Sequence, residues 1–84
     1  MNLPHNSSIN VYALLAIVFN VSPESLKDSD SPETISAWDS FQTLIMFQEL
    51  EKVAGVSFEL EDMAHVRTVG DIKKLLQKYN TPLA

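Results

Sequence analysis

Residues 38–58, WDSFQTLIMFQELEKVAGVSF, carry the best-defined helix of this 84-residue chain. Asp39 suits the N-cap, because its short side chain can accept a hydrogen bond from a free N–H of the first turn. Gln42, three residues later, is spaced to supply the return half of a capping box. Gly55 suits the left-handed position that closes a helix. At about 100° per residue, Thr43, Met46, Phe47, Leu50, Val53 and Ala54 share one face, which is expected to point inward. Phe41, Ile45, Gln48 and Lys52 fall opposite, with Leu44 near the border, so the outer face is not uniformly polar.

Beyond Phe58, a short turn or helix is expected over Leu60–His65. A last helix begins at Thr68, where Thr68 and Asp71 have the spacing of a capping box. Ile72, Leu75, Leu76 and Tyr79 follow the i, i+3, i+4, i+7 pattern of an amphipathic helix. Lys73, Lys74 and Lys78 occupy its polar side, Lys78 at the negative end of the dipole, and Pro82 lies just beyond.

Upstream, Ile9–Phe19 is expected to form the first helix, capped by Ser7 or Ser8. Strand competes on periodicity alone: Ala13, Leu14, Leu15 and Ala16 favour helix, Val11, Ile17 and Val18 favour strand. Pro23 prevents the helix from continuing. Between Asn20 and Trp38 there are two prolines, five serines and four acids without sustained period, and Val21, Leu26, Ile35 and Trp38 are its apolar anchors. Connections of this length without structure of their own are uncommon and often functional. The expected architecture is all-α, a small four-helix bundle of three main helices and a short third, with one long crossover between helices 1 and 2.

Composition bounds the rest. The length makes one domain, residues 1–84 with a core over about 9–79. There is no cysteine, so neither disulfides nor a thiolate metal site are available, and stability must come from the 45% hydrophobic residues. Eleven acids against six bases give a formal charge of −5, which argues against nucleic acid and for a protein partner with a basic docking face, or simply for solubility. The apolar run Val11–Phe19 is nine residues long, well short of the roughly twenty that a membrane span needs. No Lys or Arg precedes it, the first being Lys27, so it lacks the basic flank of a signal peptide. A mature, soluble, cytoplasmic monomer is the expectation.

The usual catalytic constellations are missing. His5 and His65 lie in unrelated contexts, no cysteine pair exists, and Gly55 and Gly70 are the only glycines, so no phosphate-cradling loop can form. Glu59, Glu61 and Asp62 read as a solvated helix start rather than a metal or catalytic site. What remains is Asp39-Ser40-Phe41 at a helix N-terminus. Free backbone N–H groups and the positive dipole end favour a phosphodiester there, although Asp and Ser also occur at helix starts simply as caps.

The wider pattern resembles acyl carrier proteins. In that family a DSL tripeptide heads the second helix, which the stretch WDSFQTLIMFQELEKVAGVSF resembles. The tail RTVGDIKKLL, residues 67–76, is similar to the family's final helix, and FNVSPESL, residues 19–26, to the turn after its first. The resemblance covers about Val11–Tyr79, three segments in order and at the right spacing. It implies that Ser40 carries 4'-phosphopantetheine, with Asp39 as the accompanying acid of the motif. It also implies a non-catalytic carrier. A phosphopantetheinyl transferase would install the arm from coenzyme A using Mg²⁺ held in its own complex. An acyl- or aminoacyl-loading ligase and downstream synthase or transferase enzymes would be the further partners.

Two departures are informative. Phe41 stands where leucine is usual, a form also found in D-alanine carriers, and Gln42 and Ile45 occupy positions often acidic in fatty-acid carriers. Phe41, Leu44, Ile45 and Gln48 are therefore expected to form an uncharged docking face, suited to a specialised pathway, unless Ile35 and Trp38 of the loop cover it. An aminoacyl or peptidyl carrier, and a helical adaptor without prosthetic group, remain as alternatives.

Overall fold

The computed structural model describes residues 8–84. It is all-helical: α1 spans Val11–Phe19, α2 Ser40–Ala54, α3 Leu60–Ala64 and α4 Val69–Lys78, with one 3₁₀ turn at Pro23–Ser25 and no strand among the described residues. No helix among them is long and apolar enough to cross a membrane.

Helix α1 starts two residues later than the sequence suggests. Asn10 is its cap, the side chain accepting from the Ala13 N–H at 3.1 Å. Ile9 is withdrawn from the helix because its backbone is engaged elsewhere. Its N–H donates to the Pro82 carbonyl at 3.0 Å and its own carbonyl accepts from the Ala84 N–H at 2.9 Å, an isolated parallel bridge between Ile9 and Leu83. Ser8 is exposed and does not cap α1, and Ser7 lies outside the described residues. The helix stops at Asn20, three residues before Pro23. Asn20 is left-handed (φ 57°), and the next N–H, that of Val21, returns to the Ala16 carbonyl at 3.0 Å. Asparagine tolerates this conformation better than most residues.

The other boundaries follow local chemistry. Gly55 closes α2 at φ 70° with its N–H on Glu51. Both bonds of the Thr68/Asp71 capping box are made. The equivalent box at α2 is half formed: Asp39 accepts from the Gln42 N–H at 2.8 Å, but no return bond from the Gln42 side chain is made.

One core joins all these elements. Leu15 of α1, Met46 and Leu50 of α2, and Val69, Ile72 and Leu76 of α4 are fully enclosed. Each large aliphatic side chain buried in this way contributes about 1.5–3 kcal/mol. Phe58 joins α2 to α4 through edge-on contacts with Phe47 and Tyr79, whose ring centres lie 6.2 and 5.2 Å away. Val53, expected inward, is 53% exposed on the rim facing α1, where the last turn of α2 overhangs the core.

The long connection is not structureless. Leu26, Ile35 and Trp38 are buried, as anchors should be, and Val21 is half-buried. Its middle also docks on α4. The Val69 N–H donates to the Asp30 carbonyl at 3.0 Å and the Gly70 N–H to the Asp28 carbonyl at 2.9 Å, so loop carbonyls satisfy two first-turn donors that a helix leaves free. A Cβ on Gly70 would sit 3.4 Å from the Asp28 carbonyl oxygen. Glycine thus permits the close approach.

Candidate functional site at the head of α2

Ser40 is the first residue of α2, exposed, and its hydroxyl makes no hydrogen bond with any described residue. Two neighbouring side chains, Asp39 and Thr43, are occupied in holding the helix start. The Asp39 carboxylate accepts from the Gln42 N–H at 2.8 Å, and the Thr43 hydroxyl donates to the Asp39 carbonyl at 2.7 Å. The Thr43 N–H bonds the same carbonyl at 2.9 Å. The N–H groups of Ser40 and Phe41 are therefore the unclaimed donors of the first turn, next to the free hydroxyl.

Just upstream, Trp38 is 3% exposed and stacks on Phe19, ring centres 5.2 Å apart and planes 26° apart. Such a pair adds about 0.5–1.5 kcal/mol beyond its area. It fixes the chain two residues before Ser40, so the serine emerges from a rigid point. A phosphodiester on the Ser40 oxygen would meet two free N–H groups and the positive end of a 15-residue helix, with Asp39 as the adjacent acid already tied to the cap. The residues present fit such a group.

The surface beside Ser40 is apolar. Phe41 is 66% and Leu44 63% exposed, while Ile35 and Trp38 are buried in the core and do not cover them. Gln48 is exposed, one turn beyond Leu44. Ile45 is different. It is half-buried and forms a wall of a groove between α2 and α1, together with Leu14, Ile17, Val18, Glu49 and Val53. Sequence reasoning missed that groove. Its signal was the near-encircling apolar surface of α1, more than one helix face can bury.

Elsewhere several titratable groups hold the fold together. Asp62 is more than a solvated helix start. It accepts from Lys78 Nζ at 2.6 Å and from the Tyr79 hydroxyl at 2.9 Å, and these bonds, Lys78 first, hold its carboxyl below the usual range. The same contact raises the Lys78 ammonium. Lys73 is likewise more than a surface charge. It bridges the Asp28 carboxylate at 2.9 Å and the Tyr12 oxygen at 2.8 Å, and the Tyr12 hydroxyl donates to Asp28. Tyr12 foremost, then Lys73, lower the Asp28 carboxyl, so that α1, loop and α4 share one polar clasp. Asp30 is lowered by the Lys27 N–H and the Thr34 hydroxyl. His65 is exposed, its Nδ1 2.8 Å from the Glu61 carbonyl, and His5 lies outside the described residues. Among the described residues no three His, Asp or Glu side chains converge as a metal site would require.

Neither a protein-family model nor a characterised protein gives a significant match to the chain.

Proposed function

We propose that this chain is an acyl carrier protein, tethering an acyl intermediate through 4'-phosphopantetheine on Ser40 and presenting it to the enzymes of a specialised biosynthetic pathway. One observation carries the reading. Ser40 combines an exposed, unengaged hydroxyl with two free N–H groups at the head of a helix whose capping is done entirely by Asp39. Asp39 holds the capping position, so the oxygen of Ser40 is not spent on the helix. The segment resemblance over Val11–Tyr79 supplies the chemical identity of the group. On this reading the four helices are those of the family's bundle, with α3 as its short element and residues 20–39 as its crossover.

When present, the arm supplies a terminal thiol that holds the cargo as a thioester. The protein's own residues do the rest. Ser40 would offer the oxygen for attachment and the Ser40 and Phe41 N–H groups would be the donors open to a phosphate there, while Trp38 and Asp39 keep the serine at the end of a preformed helix. Tethering replaces free diffusion of the intermediate by a high effective concentration at each partner site. The partners are a phosphopantetheinyl transferase, a loading ligase and a downstream synthase or transferase, met by a cytoplasmic monomer through Phe41, Leu44 and Gln48, with Ile45 turned into the groove beside α1. Aminoacyl or peptidyl cargo is the second reading, favoured by Phe41 in the motif and by the lack of charge on that face.

Incubation with coenzyme A, Mg²⁺ and a broad-specificity phosphopantetheinyl transferase should add one arm, located by peptide mass spectrometry to Ser40. Failure to gain mass would leave the helical-adaptor reading standing in its place. Intact mass of protein purified from its native host would then identify acyl or aminoacyl cargo.

A further inference from the structure

On the flank of α2 turned away from Ser40 lies a groove of about 560 Å³, lined by Leu14, Ile17 and Val18 of α1 and by Ile45, Glu49 and Val53 of α2. Five of these are aliphatic and one is charged. Ile17 is 83% exposed and Val53 53%, so two of the five exposed large apolar side chains among the described residues face one concave surface. Scattered exposed aliphatics need no explanation, but several lining a single groove mark a contact site. Ile45, Glu49 and Val53 are spaced i, i+4, i+8. They make one straight wall roughly 12 Å long at about 1.5 Å per residue, the length of about two helical turns.

We propose that this groove receives an amphipathic helix of a partner protein, its apolar face filling the space between α1 and α2 and a flanking Lys or Arg pairing with Glu49. The charge pattern selects this occupant. Glu49 is the only charged residue of the lining, and its present partner is Lys52, one turn away at 3.2 Å. The side chain of Lys52 is 73% exposed, so the pair is weak and a docked cation can replace it. A second copy fits poorly. Each chain carries a formal charge of −5, and pairing groove on groove would place two Glu49 carboxylates in one apolar seam. Helix-in-groove recognition uses anchors spaced like those of a two- to three-turn helix, which this wall matches. The inference does not depend on the carrier reading, since the groove makes no use of the Ser40 hydroxyl.

The probe is a synthetic amphipathic peptide with leucines at i, i+3 and i+7 and flanking lysines, titrated into the ¹⁵N-labelled full chain. A twin peptide carries glutamates in place of the lysines. Saturable amide shifts should centre on residues 14–18 and 45–53, equally in wild type and in Ser40→Ala. Ile17→Glu should weaken binding by about tenfold or more, the usual effect of losing an interface anchor. Glu49→Gln should erase most of the difference between the two peptides. Val53→Ser serves as a second groove variant should circular dichroism show Ile17→Glu to be unfolded. Equal binding of both peptides, shifts confined to the Phe41/Leu44 surface, or undiminished binding to both groove variants would overturn the proposal. So would a dimer in sedimentation that Ile17→Glu dissociates, which would make a second copy the occupant.

Discussion

Asp39→Ala and Ser40→Ala are neighbouring substitutions that should fail in opposite ways. The Asp39 carboxylate accepts the Gln42 N–H at 2.8 Å, and alanine leaves that donor to water. Loss of such a cap costs about 1 kcal/mol, within a range of roughly 0.5–2. In a domain of this size that amounts to a fall of about 4–8 °C in Tm per kcal/mol. It is a sizeable share of the roughly 4–13 kcal/mol that 84 residues provide at about 0.05–0.15 kcal/mol each. Ser40 makes no side-chain bond, and alanine is the better helix former by up to about 0.5 kcal/mol, so Ser40→Ala should leave Tm unchanged or slightly raised. Thermal melts by circular dichroism read the first effect. Mass gain on incubation with coenzyme A, Mg²⁺ and transferase reads the second. Asp39→Ala should melt lower, and Ser40→Ala should melt normally and gain no mass. A Ser40→Ala melt as low as that of Asp39→Ala would show that the hydroxyl serves the fold. An arm still added to Ser40→Ala, on Ser36 for instance, would refute the site.

Acid should loosen the fold through particular carboxylates. Asp28, Asp30 and Asp62 titrate below their ordinary 3.8 when folded, so the stability they contribute is present above that value and is lost as pH falls through the lowered ones. Asp62→Asn should therefore lose less Tm than wild type as pH falls below 3.8, and equal losses across the whole acid transition would show that the Asp62–Lys78–Tyr79 cluster is not formed in solution. Lys73 and Lys78 titrate above 10.5, so their contribution holds below that pH and fails only above it. Gly55→Ala should cost about 1–2 kcal/mol, because φ 70° is strained for any residue with a Cβ, and an unchanged denaturant midpoint would contradict the left-handed cap. Phe41→Glu should leave Tm within about 2–4 °C yet slow loading by the cognate enzyme about five-fold or more, because the side chain is 66% exposed beside Ser40; unchanged loading would remove Phe41 from the docking face.

What could be read from sequence is what local chemistry decides. The start and stop of α2 and the start of α4 depend on side chains within four residues of the ends they cap: Asp39, Gly55, and Thr68 with Asp71. The start of α1 is local too: Asn10 caps it on the Ala13 N–H, although Ser7 and Ser8 are equally good capping residues by type. What selects Asn10 over them is the bridge that takes the backbone of Ile9 to Pro82 and Ala84, some seventy residues away, and no period in residues 9–19 carries that information. Val53 shows the same limit in another form. Its place on the helical wheel is inward, but whether a neighbour stands there depends on where α1 runs, and α1 leaves that flank open. At the site, the position of Ser40 at a helix head was legible, whereas the groove needed two helices in register to exist at all.

The docking of the crossover on α4 accounts for features that looked separate in the sequence. Val69 and Gly70 follow the Thr68 cap, and their N–H groups are first-turn donors that the Thr68/Asp71 box leaves over. The carbonyls of Asp30 and Asp28 take both, and that approach brings the loop within 3.4 Å of where a Gly70 side chain would begin. The Asp28 carboxylate then reaches Lys73 on the next turn of α4 and Tyr12 on α1. Residues 28–30 are thus fixed by backbone and side chain together, and Trp38 is fixed ten residues later by its stack on Phe19. Between these two points the chain is held further by Ile35 in the core. Loops tied at so few points ordinarily open easily, with local free energies far below that of global unfolding. This one is held by main-chain bonds to a helix end and by a buried tryptophan, so releasing it requires disturbing α1 and α4 as well. Ser40 inherits that rigidity: its hydroxyl is free, and the segment that delivers it to the head of α2 is held at both ends.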